Sequence, residues 1–421
     1  MKKRHLIIGA GNAGMSAAAA IARLKPKDEI EIISDEPWAP YCRCLLTYYL
    51  EGKISEERLF SWGKEIIHKN RLDYHQNERV ISVDTENLTI ECESGRKSRA
   101  DTILIATGGR PLKPDFPGAD LPGIFTLRTF SDAQAIQKRL KPGGRWAVAG
   151  AGLVSIKTIA ALRQHDIKID LFATSNRILS QVLDLYASDL AAAKLTENQV
   201  EIHLNEEISA AEPAAGNQLK ITTSSDRELL VDGLLYGKGV AAAHPLDKNQ
   251  VVDNSSQDNW GADQSKLPNP WQQMQNGIKV NSQLEFQPNI YAAGDTARIF
   301  DLARKQTDRL PLWPLAGEQG LFAGHNMTAA TPNSNRHYPG GVSCNSFSLF
   351  GLDFISAGYR EIPTDDRNWH SRKQKQAKFY TRLNFHKNQL KGFILCNANP
   401  DNINSLKKSG PLLARIKREA L

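Results

Sequence analysis

The sequence has little cysteine and no long hydrophobic run, and each shortage excludes a class of protein. Its 421 residues include five cysteines, an odd and unevenly spaced set. Such a set does not make a disulfide framework, and it predicts a cytoplasmic protein. Every apolar stretch falls short of the roughly 18 residues that a membrane span needs. The basic start Met-Lys-Lys-Arg is typical of a signal peptide, but the apolar stretch behind it ends at Ala10, so we expect none.

Negative charge is scarce in the last fifth of the chain. The net charge is +7, yet from Arg336 to Leu421 fifteen Lys and Arg face six Asp and Glu, so the remainder is slightly acidic. A basic segment of this kind either meets an acidic partner or is a solvated face. Because the chain contains no recognised nucleic-acid-binding module, we do not expect nucleic acid as the partner.

The first 36 residues predict a strand, a glycine turn, a helix and a second strand. The apolar run before Gly9 suits a buried parallel strand, and the alanine-rich run after Gly14 suits a closely packed helix. The glycines allow a tight turn and a close approach to a pyrophosphate, and an acid about 20 residues later can accept ribose hydroxyls. A glycine-rich turn of another α/β domain is the weaker alternative. The predicted cofactor-binding residues are Gly9, Gly11, Asn12, Ala13, Gly14, Asp35 and Glu36.

A second turn of the same spacing follows at Gly150 and Gly152, with Ser155 in place of the third glycine. The next predicted strand ends at Thr174, where no acid stands, and Arg177 lies close by. We expect either a second dinucleotide site, with NADP(H) left open beside NAD(H), or a degenerate unit kept for packing. The predicted cofactor-binding residues here are Gly150, Gly152, Leu153, Val154 and Thr174.

Three later features add candidate ligand contacts. A buried strand ends in Ala106-Thr107-Gly108, and another ends in Gly294-Asp295, whose carboxylate can bond a sugar-alcohol hydroxyl. A helix is predicted to begin near Trp313, with its positive dipole end at that residue. The segment from Leu229 to Leu235 is predicted to form one further strand.

Taken together, these motifs resemble those of the FAD-dependent pyridine nucleotide oxidoreductases, over roughly residues 4 to 360. The run Pro40-Tyr41-x-Arg43 is similar to the rubredoxin-reductase-like and nitrite-reductase-like branch. The resemblance implies an α/β fold with two Rossmann-like dinucleotide-binding domains, for FAD and NAD, and a small C-terminal α+β domain. The implied ranges are 1–113 and 277–333 for the FAD domain, 114–240 for the NAD(H) domain, 241–276 for a polar loop and 334–421 for a C-terminal interface domain.

The resemblance also implies the ligands. FAD and NAD(H) are the expected cofactors, and no metal is expected. In the family pattern the helix that begins at Trp313 would direct its N-terminus at the flavin edge where negative charge accumulates. The further residues that the resemblance assigns to FAD are Arg43, Ala106, Thr107, Gly108, Gly294, Asp295, Trp313 and Gln319.

The expected function is electron transfer between NAD(H) and FAD, and then to or from an iron–sulfur, ferredoxin-like protein or other subunits of a 2-oxoacid dehydrogenase complex. The chain's own cysteines lack the spacing that a cluster needs. It also lacks the CxxxxC pair of the disulfide-reductase members. Two alternatives stay open: a free-standing NAD(P)H oxidase or coenzyme A-disulfide reductase that uses Cys44 as a redox thiol, and a flavin-binding scaffold without nicotinamide turnover.

Overall fold

The structure, a computed structural model, describes residues 2–245, 276–331, 334–376 and 379–397. The chain divides into two compact units. The first unit combines residues 1–42, 56–110 and 241–343, and the second combines 43–55, 111–240 and 344–421. The functional domain boundaries expected from the sequence stay a prediction, and most of the expected polar loop lies outside the described residues.

The first unit is built on a six-stranded sheet in which β1 (Arg4–Ile8) lies between β2 (Glu29–Ile33) and β7 (Thr102–Ile105). Five of the strands are parallel, and β19 pairs antiparallel with β20 at one edge. Parallel strands are covered on both faces, which explains their nearly continuous apolar runs. In spatial order the strands are β19 (Glu285–Gln287), β20 (Ile290–Ala292), β7 (Thr102–Ile105), β1 (Arg4–Ile8), β2 (Glu29–Ile33) and β3 (Asp73–His75).

In the described residues of the first unit, three helices and two small sheets accompany this sheet. The helices are α1 (Asn12–Leu24), α3 (Glu56–Asn70) and α7 (Trp313–Met327). One small sheet contains β4 (Val80–Asp84), β5 (Thr89–Cys92) and β6 (Lys97–Arg99). The other contains β18 (Ile278–Lys279), β21 (Ala297–Asp301) and β22 (Gln306–Asp308). Two short strands, β8 (Gly109–Pro111) and β17 (Val240–Ala242), lie where the chain passes from one unit to the other.

The second unit repeats the arrangement of the first around β10, which lies between β11 and β16 as β1 lies between β2 and β7. All five strands of this sheet are parallel. In spatial order they are β12 (Val200–Leu204), β11 (Lys168–Ala173), β10 (Arg145–Ala149), β16 (Gly233–Tyr236) and β9 (Ile124–Phe125). The helices described in this unit are α2 (Leu46–Leu50), α4 (Phe130–Arg139), α5 (Leu153–Arg163) and α6 (Leu185–Glu197).

The single strand predicted from Leu229 to Leu235 is wrong, because the structure divides it at Asp232. The first part, β15 (Glu228–Val231), joins an antiparallel sheet with β13 (Ile208–Ala214) and β14 (Gln218–Thr223), and the second part is β16. The Asp232 carboxylate accepts a hydrogen bond of 2.9 Å from the Arg145 backbone. At the next residue a Cβ would lie 2.7 Å from the Trp146 ring. The Asp232 carboxylate and the absence of a side chain at Gly233 therefore fix the point where β15 ends and β16 begins.

The described part of the second unit also contains a five-stranded antiparallel sheet, which tertiary contacts fix to α6. The Asp184 carboxylate caps α6 and also accepts hydrogen bonds from the Tyr380 hydroxyl and from Arg382 Nη1, the latter at 2.9 Å. Burial raises the pKa of Tyr380, so its hydroxyl stays a donor. In spatial order the strands are β23 (Cys344–Leu349), β24 (Leu352–Gly358), β27 (Gln389–Asn397), β26 (Phe379–His386) and β25 (Trp369–Gln376).

The α/β fold class with two Rossmann-like units and a small C-terminal domain is confirmed, and that domain is a sheet in the residues described. Among the described helices, none combines the length and the apolar character that crossing a membrane requires.

Candidate functional site

The glycine turn between β1 and α1 leaves an open surface at its centre. A Cβ on Gly9, whose φ is +105°, would overlap the Ala106 carbonyl oxygen, and a Cβ on Gly14 would overlap the Gly9 carbonyl oxygen. These two glycines are required by the chain itself. By contrast, among the described residues other than its two chain neighbours, no heavy atom lies within 4 Å of a Cβ placed on Gly11. The backbone at Gly11 can therefore be approached by a ligand.

Helices α1 and α7 begin side by side. Asn12 donates a hydrogen bond of 2.6 Å from Nδ2 to the Trp313 carbonyl. A Cβ on Gly317 would lie 2.7 Å from the Asn12 amide, and further along a Cβ on Gly320 would overlap the Ala13 carbonyl oxygen. Because these contacts advance in step along both helices, the helices run in the same direction and their positive dipole ends coincide.

The helices that begin at the predicted cofactor turns are not capped by side chains. This holds for α1, α5 and α7 in the part of the chain that the structure describes. The same chain caps α4 with a Thr129–Asp132 capping box and caps α6 with Asp184. Uncapped first turns leave backbone N–H groups available for an anion, which is the usual geometry for a dinucleotide phosphate.

Two carboxylates follow the end of β2. Asp35 is exposed and lies 3.5 Å from Nη2 of Arg79. Glu36 is half-buried, and its Oε2 accepts a hydrogen bond of 2.6 Å from the Tyr41 hydroxyl. Both predicted acids therefore lie at the carboxyl end of a central strand, where ribose hydroxyls are bound in dinucleotide folds.

The predicted residues near α7 form a buried polar cluster. Gln319 is 1% exposed, and its Oε1 accepts a hydrogen bond of 2.8 Å from the Gly294 backbone. Its Nε2 has no hydrogen-bond partner among the residues that the structure describes. Such a buried donor fits a site that a ligand completes, since buried amides are normally satisfied. Asp295 follows, half-buried in a short 3₁₀ turn.

The Ala106-Thr107-Gly108 run holds the returning chain. The Thr107 hydroxyl donates a hydrogen bond to the Ala243 carbonyl, and the Ala243 N–H donates to the Gly108 carbonyl at 3.0 Å. The Thr296 hydroxyl donates to the same Ala243 carbonyl at 2.9 Å. Thr107 therefore has a structural partner, and its predicted contact with the cofactor stays a prediction.

The second glycine turn resembles the first, with one exchange. A Cβ on Gly150, whose φ is +101°, would lie 2.6 Å from the Gly237 carbonyl oxygen, and nothing in the described chain lies within 4 Å of a Cβ on Gly152. Ser155 is buried, and a Cβ on Gly237 would overlap its hydroxyl. The missing side chain of Gly237 thus makes room for the serine. At the start of α5, Leu153 is half-buried and Val154 is 53% exposed.

Thr174 occupies the position that Asp35 has in the first unit. The N–H of Gly9 donates to the Ile33 carbonyl at 2.7 Å, and the N–H of Gly150 donates to the Phe172 carbonyl at 2.8 Å. Counting two residues on from these carbonyls gives Asp35 and Thr174. The two positions are therefore equivalent in the backbone, and the second unit has a threonine where the first has an acid.

The segment around Cys44 is attached to the second unit. Arg43 donates a hydrogen bond of 2.9 Å from Nη1 to the Arg128 carbonyl. Lys157 Nζ, on α5, lies 5.0 Å from the centre of the Tyr48 ring. Cys44 itself is exposed. The role in flavin binding that the resemblance gives to Arg43 stays a prediction.

Sequence reasoning missed one close group of ionisable residues, Asp170, Glu201 and His203. Arg145 occupies both carboxylate oxygens of Asp170, at 2.7 and 2.9 Å, and His203 Nε2 lies 3.2 Å from Oδ1. Because a guanidinium already neutralises this buried carboxylate, the group is an ion-pair network rather than a metal site. Asp170 is 31 or more residues from the other two, which lie two residues apart on β12. The spacing in the sequence therefore gave no indication that the three side chains meet.

Comparison with known proteins identifies the family and the fold. The model of the pyridine nucleotide-disulphide oxidoreductase family matches residues 3–320. An NAD(P)H sulfur oxidoreductase (CoA-dependent) of Pyrococcus abyssi is 27% identical, over 86% of this chain and 76% of the relative. Subunit epsilon of the NADH-dependent phenylglyoxylate dehydrogenase of Aromatoleum evansii is 25% identical, over 86% and 80%. An engineered water-forming NADPH oxidase has the same fold, with a TM-score of 0.85, 20% identity and coverage of 99% and 91%.

Proposed function

The chain belongs to the pyridine nucleotide-disulphide oxidoreductase family, and on that premise we propose that it passes electrons between a nicotinamide dinucleotide and an iron–sulfur protein partner. It is a FAD-dependent NAD(P)H oxidoreductase, in agreement with its family. The finer role that we propose is the NAD⁺-reducing subunit of a 2-oxoacid dehydrogenase complex such as phenylglyoxylate dehydrogenase.

The observation that carries the proposal is the pair of parallel helices α1 and α7, whose uncapped N-termini meet at the Asn12–Trp313 hydrogen bond. Two positive dipole ends at one point favour a diphosphate and any negative charge that develops on a bound ring. The open face of Gly11 and the buried amide of Gln319 fit FAD at the same place. When bound, the flavin supplies the conversion of a two-electron hydride into single electrons.

The second unit supplies the nicotinamide dinucleotide site in this proposal. Its glycine turn has the same open centre, at Gly152, and leads into the uncapped helix α5. The buried Ser155 does not close the turn, because Gly237 makes room for it. These features argue against a degenerate unit that is kept only for packing.

An external protein partner is proposed because single electrons need an acceptor. The five cysteines, at 42, 44, 92, 344 and 396, do not approach the four-cysteine spacing of an iron–sulfur cluster. The name of the Aromatoleum evansii relative, a dehydrogenase subunit, supports a partner of this kind within an assembly.

A second candidate function is thiol-based reduction of a coenzyme A persulfide or disulfide at Cys44. Cys44 is exposed, and its segment is attached to α5, the helix that follows the second glycine turn. The CoA-dependent sulfur oxidoreductase among the relatives favours this candidate. A thiolate on an accessible segment beside a basic residue is the nucleophile that such chemistry needs.

The two candidates separate in one experiment on the FAD-loaded protein without oxygen. NADH and NADPH are each added, and electrons are offered to a one-electron dye, a ferredoxin or coenzyme A disulfide. With the partner function, Cys44→Ser keeps reduction of the dye and of ferredoxin within about twofold of the original protein. If Cys44→Ser instead lowers the rate of these reductions by tenfold or more while FAD stays bound, the thiol function is favoured. Tenfold corresponds to about 1.4 kcal/mol of activation barrier.

Cys42→Ser is the matched control, since it makes the same chemical change two residues away. If NADH and NADPH both leave the flavin oxidised, the proposed function itself is wrong, and the scaffold alternative takes its place.

A further inference from the structure

The side chain of Asn12 connects the two helices that begin at the predicted FAD site. Its Nδ2 donates the 2.6 Å hydrogen bond to the Trp313 carbonyl, and its Oδ1 accepts one of 3.3 Å from the Ser16 hydroxyl. An amide has a donor side and an acceptor side, so the Ser16 hydroxyl fixes which side faces Trp313. The donor is therefore directed at α7, 301 positions away along the chain.

The contact depends on a side chain that α7 lacks. A Cβ on Gly317 would lie 2.7 Å from Asn12 Nδ2, and Gly317 is buried. The amide therefore occupies the space of that missing side chain, one turn inside α7. Because Ser16, Trp313 and Gly317 surround the amide, Asn12 fixes the start of α7 relative to the start of α1.

The start of α7 has few other means of holding its position. Its N-cap residue, Leu312, makes no side-chain hydrogen bond, and Pro314 in the first turn has no N–H. The Ala316 N–H is bonded to the Leu312 carbonyl at 2.9 Å. This leaves the N–H groups of Trp313 and Leu315 in the first turn, so the direction of the positive helix end depends on where α7 begins.

A buried donor at the same place fits a ligand. Gln319 is 1% exposed, and its Nε2 has no partner among the described residues, while its Oε1 accepts from the Gly294 backbone. A Cβ on Gly294 would lie 3.1 Å from Ala13 Cβ and 3.6 Å from Ala316 Cβ. Gly294 therefore lies between the first turns of α1 and α7, and the unsatisfied amide belongs to the place where both helices begin.

We propose that Asn12 is a positioning residue that raises the reduction potential of the bound flavin by fixing the start of α7. The inference rests on the FAD site of the proposed function and adds the residue that tunes it. Reduction adds negative charge to the flavin ring, whereas the charge of the diphosphate stays the same. A displaced α7 therefore weakens binding of reduced FAD more than binding of oxidised FAD, and the potential falls.

The test measures the two-electron midpoint potential of the FAD-loaded, full-length protein by equilibrating chemically reduced flavin with a reference dye. Asn12→Ala removes the donor. It should weaken binding of reduced FAD by about tenfold relative to oxidised FAD, which lies within the range of a partly buried helix-dipole interaction. Tenfold in a two-electron couple is about 30 mV, and the potential should fall by that amount. The Kd of oxidised FAD should stay within about threefold.

Ser16→Ala is the milder variant, since it keeps the Asn12 donor and removes only the hydroxyl that orients it. It should also lower the potential, by about threefold in relative binding or about 15 mV. If Asn12→Ala does not fold or does not retain FAD, the Ser16→Ala potential decides the inference.

Asn326→Ala is the matched control at the other end of α7. Asn326 is 2% exposed, and its Nδ2 donates to the Gln283 carbonyl at 2.8 Å and to the Arg336 carbonyl at 3.0 Å. The substitution removes amide-to-carbonyl bonds of the same kind, so it should lower the melting temperature. It should leave the potential unchanged, because it does not touch the start of α7.

Three outcomes would overturn the inference. If Asn12→Ala and Ser16→Ala both leave the potential unchanged, the bond to Trp313 serves packing alone. If Asn12→Ala weakens oxidised and reduced FAD equally, Asn12 serves the diphosphate and not the ring. If Asn326→Ala lowers the potential as much, general loosening of α7 explains the effect. The measurement needs no coenzyme, so failure of NADH and NADPH to reduce the flavin would count against the proposed function and not against this inference.

Discussion

The two glycine turns both pack a helix closely against a strand, but the residue that lacks a side chain at the contact is a different one in each. In the first unit the third position is Gly14, and any Cβ there would overlap the Gly9 carbonyl oxygen. In the second unit the third position is Ser155, and the space for its hydroxyl comes from Gly237 on the neighbouring strand end. Close packing of helix on strand is therefore a property of a pair of positions, and a serine at the third position is compatible with it.

The same two units differ again where the second strand ends. The backbone position that Asp35 occupies in the first unit is occupied by Thr174 in the second. Three residues later stands Arg177, whose Nη2 lies 3.2 Å from Oε1 of Glu361. One backbone geometry thus presents carboxylates in one unit and donors in the other. In dinucleotide-binding folds the glycine turn sets where the pyrophosphate lies, and the side chains at this strand end contact the ribose.

The largest effect should come from breaking the packing of the first turn. Gly14→Ala places a Cβ against the Gly9 carbonyl oxygen, and the surrounding backbone must shift. Overpacking against backbone costs about 1–3 kcal/mol and occasionally more, so we expect a clear fall in melting temperature together with loss of bound FAD. Differential scanning fluorimetry and the flavin absorbance measure both.

Ser155→Ala is the matched change in the second turn, because it removes an atom where Gly14→Ala adds one. It should leave FAD in place and shift the melting temperature far less. Equal losses from the two variants would mean that the turns are not packed as differently as the geometry indicates.

The next effect separates the two sites by function. Gly11 and Gly152 both point an absent Cβ into open space within the described chain, so alanine at either position should leave the fold intact. Gly11→Ala should weaken FAD binding by about tenfold or more, and Gly152→Ala should raise KM for the nicotinamide coenzyme by a similar factor with FAD retained, each about 1.4 kcal/mol. Flavin titration and steady-state kinetics measure the two effects. If Gly11→Ala instead raises KM for the coenzyme and Gly152→Ala weakens FAD binding, the assignment of the two units is reversed.

Part of this comparison could be predicted from the sequence. Glycine spacing, apolar strands and the alanine-rich helix located both turns, because those signals are local. The start of α7 at Trp313 also agrees with the structure.

The remainder could not be predicted, because it depends on residues that are distant along the chain. Gly237 compensates for Ser155 across 82 positions, and Glu361 reaches Arg177 across 184. The break at Asp232 within an apolar run depends on the Arg145 backbone and the Trp146 ring, and a one-dimensional pattern carries neither. Roles that the family resemblance gives to Arg43 and Thr107 stay predictions, since both side chains have partners within the chain.

A third change would make the second unit resemble the first. Thr174→Asp puts a carboxylate at the step that Asp35 occupies, where it can accept ribose hydroxyls and repel a 2′-phosphate. We expect the ratio of kcat/KM for NADPH to that for NADH to fall by about tenfold, the effect of roughly one charged hydrogen bond gained or lost. Asn176→Asp, at an exposed position two residues on, is the control for charge alone. If Thr174→Asp leaves this ratio unchanged, the residue at the end of β11 does not determine which coenzyme is preferred.

The smallest effect concerns the surface that we expect to meet the partner protein. The second unit carries β25, an edge strand on which Arg372, Lys373 and Lys375 are exposed. Lys378, which the sequence places in the same basic group, lies outside the described residues. We propose that an acidic iron–sulfur protein docks here, since complementary charge speeds encounter and is screened by salt.

Reversal of these three charges to Glu should slow electron transfer to the partner by about fivefold at low ionic strength, because steering acts on the association rate. Reduction of the flavin by the coenzyme should stay within about twofold. The matched control reverses Arg23, Lys25 and Lys27, which are exposed around the end of α1 in the first unit and give the same change in net charge. If the two triple variants slow the partner reaction equally, net charge and not β25 governs the encounter. If only the β25 variant does so and raised salt removes the difference, the two units divide the work, with the partner docking on the second.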